Sequence, residues 1–400
     1  MNRPSLLHII ERLEGFLGRL PTSIQKPVLH ELTPLKELFL QQRPPRFVLT
    51  GSNKFSIQEV VATLFAWTPP AESRDVLLEL FCWQTMELGG HGTIALLDAR
   101  GSDAVSSPRV QEELQKQSAD VFLHLADDAG AGHASASELG NLSTFLGSNT
   151  AARLNAKVIG IVLHDTGRVA HPAHNGDSAP RVHARSRLRT ALQAKPEVRE
   201  NLLQVLELSF IPAGGTGGEM KADAQSFMSL LARELPNEAR VEMARIARDR
   251  AAQIEIAQML VKSTSAICAA IGAQPIPLAD LPVLTALQLV MVSGIMYIGG
   301  RERSLRAATE FVGALGVNVG AGMILREGTR ALLKFFPGWG NVVCGMVAGA
   351  GTYAIGRASI VYFLEGVSLR DARRTYLASR KKRAQREPAR IKEVTATPVE

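Results

Sequence analysis

The stretch RFVLTGSNKFSIQEVVATLF, residues 46–65, decides the fold of the first half of this chain. It opens on an apolar run at 47–50, passes through Gly51 and Lys54, and continues over 57–66 with apolar residues at helical spacing. A short buried strand, a glycine turn and a helix in this order are typical of the first unit of a parallel α/β sheet.

Similar apolar runs recur through residues 46–235 and alternate with amphipathic stretches. The predicted strands are 47–50, 76–83, 93–98, 120–126, 157–163 and 203–210, and the predicted helices are 57–66, 108–117, 135–155, 181–194 and 222–235. Short runs of Val, Ile and Leu separated by helices predict a mainly parallel sheet with helices on both faces.

Composition narrows the class of protein. Hydrophobic residues make up 46% of the 400 residues but aromatic residues only 5%, which suits closely packed helices. The three cysteines are far apart, so they indicate a reducing compartment rather than a disulfide framework. The net charge of +7 is concentrated in the tail 370–392, which lacks the regular interleaving of aromatic and basic residues typical of nucleic-acid binding, so the sequence argues against nucleic acid as a partner.

Changes in composition along the chain predict five parts. These are N-terminal helices at 1–45, the α/β domain at 46–235, a connecting helix at 237–271, an α-helical, glycine-rich hydrophobic domain at 272–366, and a basic, disordered tail at 367–400. Within the hydrophobic domain, 281–300 and 335–356 carry no charge, and both are long enough to cross a bilayer. Glycines four residues apart, at 316 and 320 and at 345 and 349, predict close helix packing.

The segment Gly51-Ser52-Asn53-Lys54 stands where a phosphate-binding loop would be. A working loop has the pattern G-x-x-x-x-G-K-[ST], in which backbone N–H groups wrap the phosphates and the Ser or Thr holds magnesium. Here the lysine follows the glycine by only three positions, and Ser56 comes one place late for the metal. The spacing favours a structural turn. The alternative is retained phosphate binding at Gly51, Ser52 and Lys54, since the free N–H groups of the helix N-terminus would still attract an anion.

A second motif, Asp98-Ala99-Arg100-Gly101, follows the predicted strand 93–98. In nucleotide switches an Asp at this position orients Mg²⁺ through water, and the Gly N–H senses the third phosphate. The alternative role is an Asp that caps the next turn. The base-reading pattern N-K-x-D is absent after strand 157–163, where His164 and Asp165 stand instead, and nothing local singles out Thr85 as a switch threonine.

Residues 46–235 resemble an Era-like GTPase domain of the translation-factor-related class, through their strand order, the turn 51–54 and the motif 98–101. The resemblance implies a P-loop GTPase-like fold that binds GTP or GDP with Mg²⁺. The nucleotide would contact Gly51, Ser52, Asn53, Lys54, Ser56, Asp98 and Gly101, and Asp98 would hold the metal through water. The altered loop, metal ligand and base motif count against GTP hydrolysis and leave enzymatic activity open.

The C-terminal part resembles the uncharacterised bacterial membrane-associated domain of the YcjF type. The resemblance rests on Ile276-Pro277-x-x-Asp280, Leu284-x-x-x-Gln288, Tyr297-x-Gly299, Pro337-Gly338-x-Gly340, Gly349-x-x-Thr352-x-x-Ile355-Gly356 and Tyr362-Phe363. It implies a protein on the cytoplasmic face of the bacterial inner membrane. If 281–300 and 335–356 both crossed, the basic residues between them would lie outside, against the positive-inside tendency. A bundle on or in the cytoplasmic leaflet, held to anionic lipid by the basic tail, avoids this conflict.

Two functions follow as expectations. The first is a membrane-associated GTPase-like protein with a degenerate nucleotide site, acting as a weak switch or a scaffold. The second is a pseudo-GTPase that binds no nucleotide and interacts with a protein partner or forms a homo-oligomer. Binding of nucleotide separates the two.

Overall fold

The computed structural model describes residues 41–67, 80–89, 92–127, 135–151, 156–164, 179–209, 218–273, 280–315 and 339–379. The chain forms two compact units. One comprises Met1–Gln42 with Arg248–Glu400, and the other is Arg43–Ala247. The helices predicted before residue 41 lie outside the described residues. The tail 367–400 was expected to be disordered, but its residues 369–379 are helical, and the part beyond residue 379 lies outside the described residues.

The unit Arg43–Ala247 is built on one six-stranded sheet. Its strands are β1 (Arg46–Gly51), β2 (Trp83–Glu87), β3 (Thr93–Asp98), β4 (Val121–Asp127), β5 (Lys157–His164) and β6 (Leu202–Ser209). They lie in the order β2-β3-β1-β4-β5-β6. All neighbouring pairs are parallel except β2 with β3. All seven residues of β4 are buried, as expected for a parallel strand covered on both faces.

Helices connect these strands and supply the core. They are α1 (Ile57–Phe65), α2 (Ser107–Lys116), α3 (Ala136–Ala151), α4 (Ala179–Gln193), α5 (Pro196–Asn201), α6 (Gly218–Glu234) and α7 (Asn237–Ala247). Because successive strand side chains point to opposite faces, β1 supplies two cores. Val48 belongs to the cluster around Phe122 and Phe145, while Phe47 packs on Phe65 of α1 with ring centroids 5.6 Å apart.

The predicted α/β pattern is confirmed, with one strand displaced. A strand was expected over 76–83; of these residues the structure describes 80–83, and there β2 begins at Trp83. Phe81 has φ 61°, and its N–H donates to the carbonyl of Asp98, so the backbone turns before the strand starts. The apolar run suggested a buried strand, whereas β2 is a half-exposed antiparallel strand at the sheet edge.

The stretch predicted as one helix, 237–271, contains two helices instead. Helix α7 ends at Ala247, and α8 (Arg250–Gly272) begins two residues after Arg248, whose φ is 49°. Asp249 caps α8 by accepting hydrogen bonds from the N–H groups of Ala251 at 2.9 Å and Ala252 at 3.2 Å. The boundary between the two units falls at this break.

The other unit is helical throughout its described elements. After α8 come α9 (Asp280–Ile298), α10 (Leu305–Ala314) and α11 (Trp339–Phe363), and residues 369–379 are also helical. Helices α8 and α11 pack antiparallel and in close contact. A Cβ on Gly345 would lie 2.5 Å from the carbonyl oxygen of Ala269, and one on Gly349 would lie 3.1 Å from that of Ser265.

The predicted close packing of Gly345 and Gly349 is thus satisfied within the chain, by α8. Among the described helices, α8 is long and apolar enough to cross a membrane, and 56% of its apolar window is buried. This helix was expected to be a connector. The shorter apolar helix Val283–Ile298 corresponds to the predicted uncharged segment 281–300, and the part of 335–356 before Trp339 lies outside the described residues.

Candidate functional site

The candidate site lies at the carboxyl edge of the sheet. Along the chain, β1 is followed by β2 and β3 on one side, whereas β4 is followed by β5 and β6 on the other. In open α/β sheets, ligands bind in the crevice where the connections diverge in this way. The segment after β1 and the ends of β3 and β4 meet there. Position alone therefore makes Gly51–Lys54, Asp98 and Asp127 candidates.

The turn after β1 remains bonded to β4. The N–H of Ser52 donates to the carbonyl of Leu125 at 2.9 Å, which extends the β1–β4 ladder beyond Gly51. Gly51 has φ +86°, and a Cβ there would overlap the carbonyl oxygen of Leu125. Glycine is thus required by a close approach of two backbones. The N–H of Ser52 is engaged by the protein and is not turned to an incoming anion.

The N-terminus of α1 is also satisfied from within. Ser56 and Glu59 form a capping box, in which the Ser56 N–H donates to Glu59 Oε2 at 2.9 Å and the Glu59 N–H donates to Ser56 Oγ at 3.3 Å. Such a carboxylate complements the positive end of the helix dipole. It occupies the position that favours an anion at other helix N-termini, so α1 is poorly suited to hold phosphate.

Lys54, the candidate phosphate ligand, pairs with a carboxylate. Its Nζ forms an ion pair with Asp127 Oδ2 at the end of β4. The Lys54 side chain is 61% exposed, while that of Asp127 is 9% exposed. The pair therefore bridges the crevice between β1 and β4, with its acidic member fixed in the sheet edge and its basic member reaching from solvent.

Asp98, the candidate magnesium ligand, is held by an arginine two residues away. Arg100 donates from Nε to Asp98 Oδ1 and from Nη2 to Oδ2, both at 2.8 Å. Its Nη1 donates to the carbonyl of Phe55 at 2.9 Å, and both charged side chains are under 10% exposed. A fixed cation on both carboxylate oxygens opposes a second cation, so Asp98 in this arrangement does not fit a magnesium ligand.

The remaining site residues are partly brought together. Asn53 lies beside Gly101, whose φ is +66°, because a Cβ at Gly101 would be 2.6 Å from Asn53 Nδ2. Thr85 lies within the edge strand β2, paired with Ala95 and exposed to solvent. His164 ends β5 with Nε2 3.6 Å from Glu207 Oε2, and Asp165 of the base-reading region lies outside the described residues.

Sequence reasoning missed His124, which lies under the glycine turn. It is fully buried in β4, and its Nδ1 shares a hydrogen bond of 3.1 Å with Thr50 Oγ1. Burial lowers the pKa of His124 to about 4, so its ring is neutral at pH 7. The sequence did carry one signal for this residue, namely a single histidine within the apolar run of strand Val121–Asp127.

Sequence reasoning also missed the partners Arg100, Glu59 and Asp127. The signals were a basic residue inside the motif 98–101, an acidic residue three positions after Ser56, and a carboxylate closing a buried strand. No group of three His, Cys, Asp or Glu side chains that could hold a metal occurs among the residues described.

The fold defines the broad class: a six-stranded, mostly parallel α/β unit joined in one chain to a helical unit. No family model matches the chain. The chain is similar to a protein of Magnetospirillum gryphiswaldense named magnetosome membrane protein 22, with 28% identity over 148 residues. The matched region covers 34% of the present chain and 74% of that relative.

Proposed function

We propose that this protein is a membrane-associated scaffold whose GTPase-like α/β unit keeps its shape without nucleotide. The observation that carries the proposal is the Asp98–Arg100 pair, in which a side chain of the protein supplies the cation that a nucleotide switch takes from magnesium. The Era-like and YcjF-type resemblances remain part of the proposal, and they supply its GTPase-like and membrane elements.

Two further contacts support the same conclusion. Asp127 neutralises Lys54 where a phosphate would, and Glu59 caps α1 where a phosphate would bind the helix N-terminus. Lys54, the N-terminus of α1 and Asp98 thus each have a charged partner of the appropriate sign within the chain. A site satisfied in this way gains little from a ligand, because binding must first break existing ion pairs and hydrogen bonds.

Two other observations support membrane association. The relative in Magnetospirillum gryphiswaldense carries the name of a membrane protein, and α8 has the length and composition of a membrane span. The proposed location is the cytoplasmic face of the bacterial inner membrane. The scaffold would act by holding a protein partner or a second copy of this chain.

The test of the nucleotide proposal is equilibrium binding of fluorescent GTP, GDP and ATP to the full chain, with and without magnesium. We expect no saturable binding, and the same result for Lys54→Ala. Micromolar, magnesium-dependent binding of GTP that Lys54→Ala abolishes would contradict the proposal. Membrane association is tested separately, by recovery of the chain in the membrane pellet after an alkaline carbonate wash.

A weak nucleotide switch is the second candidate, and the exposure of Lys54 favours it. Because 61% of this side chain is open to solvent, a phosphate could draw it away from Asp127 at small cost. The variant Asp127→Asn separates the two functions. A switch predicts that removing the competing carboxylate tightens GTP binding, whereas the scaffold proposal predicts no binding before or after the change.

A further inference from the structure

Helices α9 and α11 end side by side. Gln288 of α9 donates a hydrogen bond of 2.9 Å to Thr352 of α11. Eleven residues further along the chain from each of these, a Cβ on Gly299 would lie 3.2 Å from the carbonyl oxygen of Phe363. The two helices therefore run in the same direction, and their carboxyl ends define one end of the helical unit, here named the carboxyl end.

Arginine and aromatic side chains are concentrated at the carboxyl end. The guanidinium carbon of Arg301 lies 5.0 Å from the ring centroid of Phe363 and 5.8 Å from that of Tyr362. Arg303 lies 4.2 Å from the ring of Tyr297, whose hydroxyl accepts a hydrogen bond from Gln42. Arginines and tyrosines at helix ends are characteristic of the boundary between a bilayer and water.

The helix 369–379 adds an exposed amphipathic face at the same end. It begins shortly after α11, beyond a turn at Gly366, and Ser368 caps it by accepting a hydrogen bond of 3.2 Å from the N–H of Asp371. Ala372 and Tyr376 form the buried inner face of this helix, since their exposed fractions are 0% and 6%.

The outer face of this helix combines leucines with arginines. Leu369 is 39% exposed and Leu377 is 52% exposed, so both leucines contribute apolar surface to the outer face. Beside them, Arg370, Arg373 and Arg374 are all exposed, and Arg374 makes one solvent-exposed ion pair with Asp371. In the sequence, four more basic residues follow directly at 380–383.

We propose that the outer face of helix 369–379 lies on an anionic phospholipid surface, with Leu369 and Leu377 entering the headgroup boundary. The inference rests on the membrane association proposed above and names the surface that makes the contact. Apolar side chains flanked by arginines suit a helix in the plane of a bilayer, because the leucines enter it while the arginines meet lipid phosphates. Nucleic acid is less suited to this face, because Tyr376 is buried and cannot stack on a base.

The arrangement also removes the topological conflict for Arg301 and Arg303, the two arginines that follow α9. Arg301, Arg303 and the helix 369–379 all belong to the carboxyl end, even though α10 and other residues separate them along the chain. Basic residues before α10 and after α11 then face the same leaflet. This distribution agrees with a cytoplasmic surface and requires none of these arginines to lie on the far side of the membrane.

The test uses an environment-sensitive dye at position 377 of the full chain. Leu377→Cys is made in a chain carrying Cys82→Ser, Cys268→Ala and Cys344→Ala, and a matched chain carries Val105→Cys. Val105 is a good reference because it is an exposed aliphatic residue, 86% exposed, in the α/β unit. Both chains are mixed with vesicles of phosphatidylcholine, with or without phosphatidylglycerol, and bound protein is isolated by flotation.

In vesicles containing phosphatidylglycerol, we expect a blue shift of the dye at 377 and severalfold stronger quenching by nitroxide lipid than at 105. The triple variant Arg370→Gln/Arg373→Gln/Arg374→Gln should reduce this quenching to the level seen with phosphatidylcholine alone. The matched variant Arg185→Gln/Arg189→Gln/Arg199→Gln, which removes three exposed arginines of the α/β unit, should leave it unchanged.

A chain that floats with the vesicles while the dye at 377 stays in water would overturn this inference and leave membrane association intact. A chain that floats with neither vesicle would contradict the proposed membrane association as well. A dye response to an RNA oligonucleotide, without one to vesicles, would assign the surface to nucleic acid and overturn the lipid assignment.

Discussion

Asp98 and Arg100 form a buried, two-pronged ion pair at the end of β3. Both oxygens of the carboxylate are held at 2.8 Å, and the third arm of the guanidinium reaches the carbonyl of Phe55 at 2.9 Å. One side chain thus neutralises the acid and ties the turn after β3 to the segment before α1. The pair makes the geometry of the candidate site a property of the fold and not of a bound ligand.

Replacing one member of this pair should destabilise the α/β unit strongly. Arg100→Met keeps the length and apolar stem but leaves the Asp98 carboxylate buried without its partner. Removing one partner of a buried ion pair costs about 3–5 kcal/mol. We expect Arg100→Met to lower the free energy of unfolding of the full chain by an amount in this range, measured by equilibrium urea denaturation.

The double variant Asp98→Asn/Arg100→Met provides the control, because it removes both charges. It should be markedly more stable than Arg100→Met alone, since the penalty of an uncompensated charge is gone. Equal urea midpoints for the wild-type chain and Arg100→Met would show that the pair does not hold the site together.

The second prediction concerns the glycine turn after β1 and compares substitutions at Gly51 and Gly101. Gly51→Ala places a Cβ against the backbone carbonyl of Leu125 at φ +86°, and neither group can move away. The left-handed conformation and the overlap together should cost about 3 kcal/mol or more of unfolding free energy. Thermal unfolding followed by circular dichroism measures the change.

Gly101→Ala is the matched control, since Gly101 also has a positive φ, of +66°. Its Cβ would meet the end of the Asn53 side chain, which can rotate aside, so only the conformational cost of about 1–2 kcal/mol remains. If the two variants lowered the melting temperature equally, backbone crowding at Leu125 would not be the reason for Gly51.

The sequence predicted the sheet because its parallel strands are continuous apolar runs. β3 was predicted at its observed bounds, Thr93–Asp98, and β1, β4, β5 and β6 to within about a residue at each end. The displaced strand β2 is an antiparallel edge strand with a half-exposed pattern, which an apolar run cannot indicate. The break at Arg248 was missed because a left-handed residue between two amphipathic helices leaves their periodicity intact.

The sequence predicted where the candidate site residues lie in the fold, but not which side chains they contact. Gly51 ends β1, Lys54 follows it, and Asp98 ends β3, as the motifs required. The contacts that these residues make depend on long-range pairs, such as Lys54 with Asp127, which join segments far apart in sequence. Sequence spacing gives no information about such contacts, whereas the parallel sheet brings the strand ends together.

The buried histidine predicts a pH-dependent stability. The pKa of His124 is about 4 in the folded chain and about 6.5 when exposed in the unfolded chain. Between these values the unfolded chain binds a proton that the folded chain does not, so stability falls as the pH drops from about 6.5 to about 4. The loss from this residue should reach about 3 kcal/mol.

His124→Gln should remove this contribution. Between pH 7 and pH 4, the unfolding free energy of the wild type should therefore fall by about 3 kcal/mol more than that of the variant. Urea denaturation across this range measures it. Thr50→Val is the control, because it removes the hydrogen bond to His124 Nδ1 but keeps the ring buried. An identical pH slope in the wild-type and His124→Gln chains would refute the prediction.

The antiparallel pair α8 and α11 makes the last prediction, because two glycines of α11 differ only in what they face. Gly345→Ala places a methyl group 2.5 Å from the carbonyl oxygen of Ala269 and 2.8 Å from the Cβ of Ala273. Both neighbours are backbone or a short side chain, so the helices must separate, at a cost of about 1–3 kcal/mol.

Gly351→Ala is the matched control, because its methyl group meets no atom within 4 Å and the substitution gains helix propensity of up to about 1 kcal/mol. The two substitutions are chemically identical, yet thermal unfolding of the full chain in detergent should show a lowered midpoint for the first and an unchanged or raised midpoint for the second. If both variants shifted the midpoint in the same direction, the glycines of α11 would act through helix propensity alone, and the close contact with α8 would not be what stabilises the helical unit.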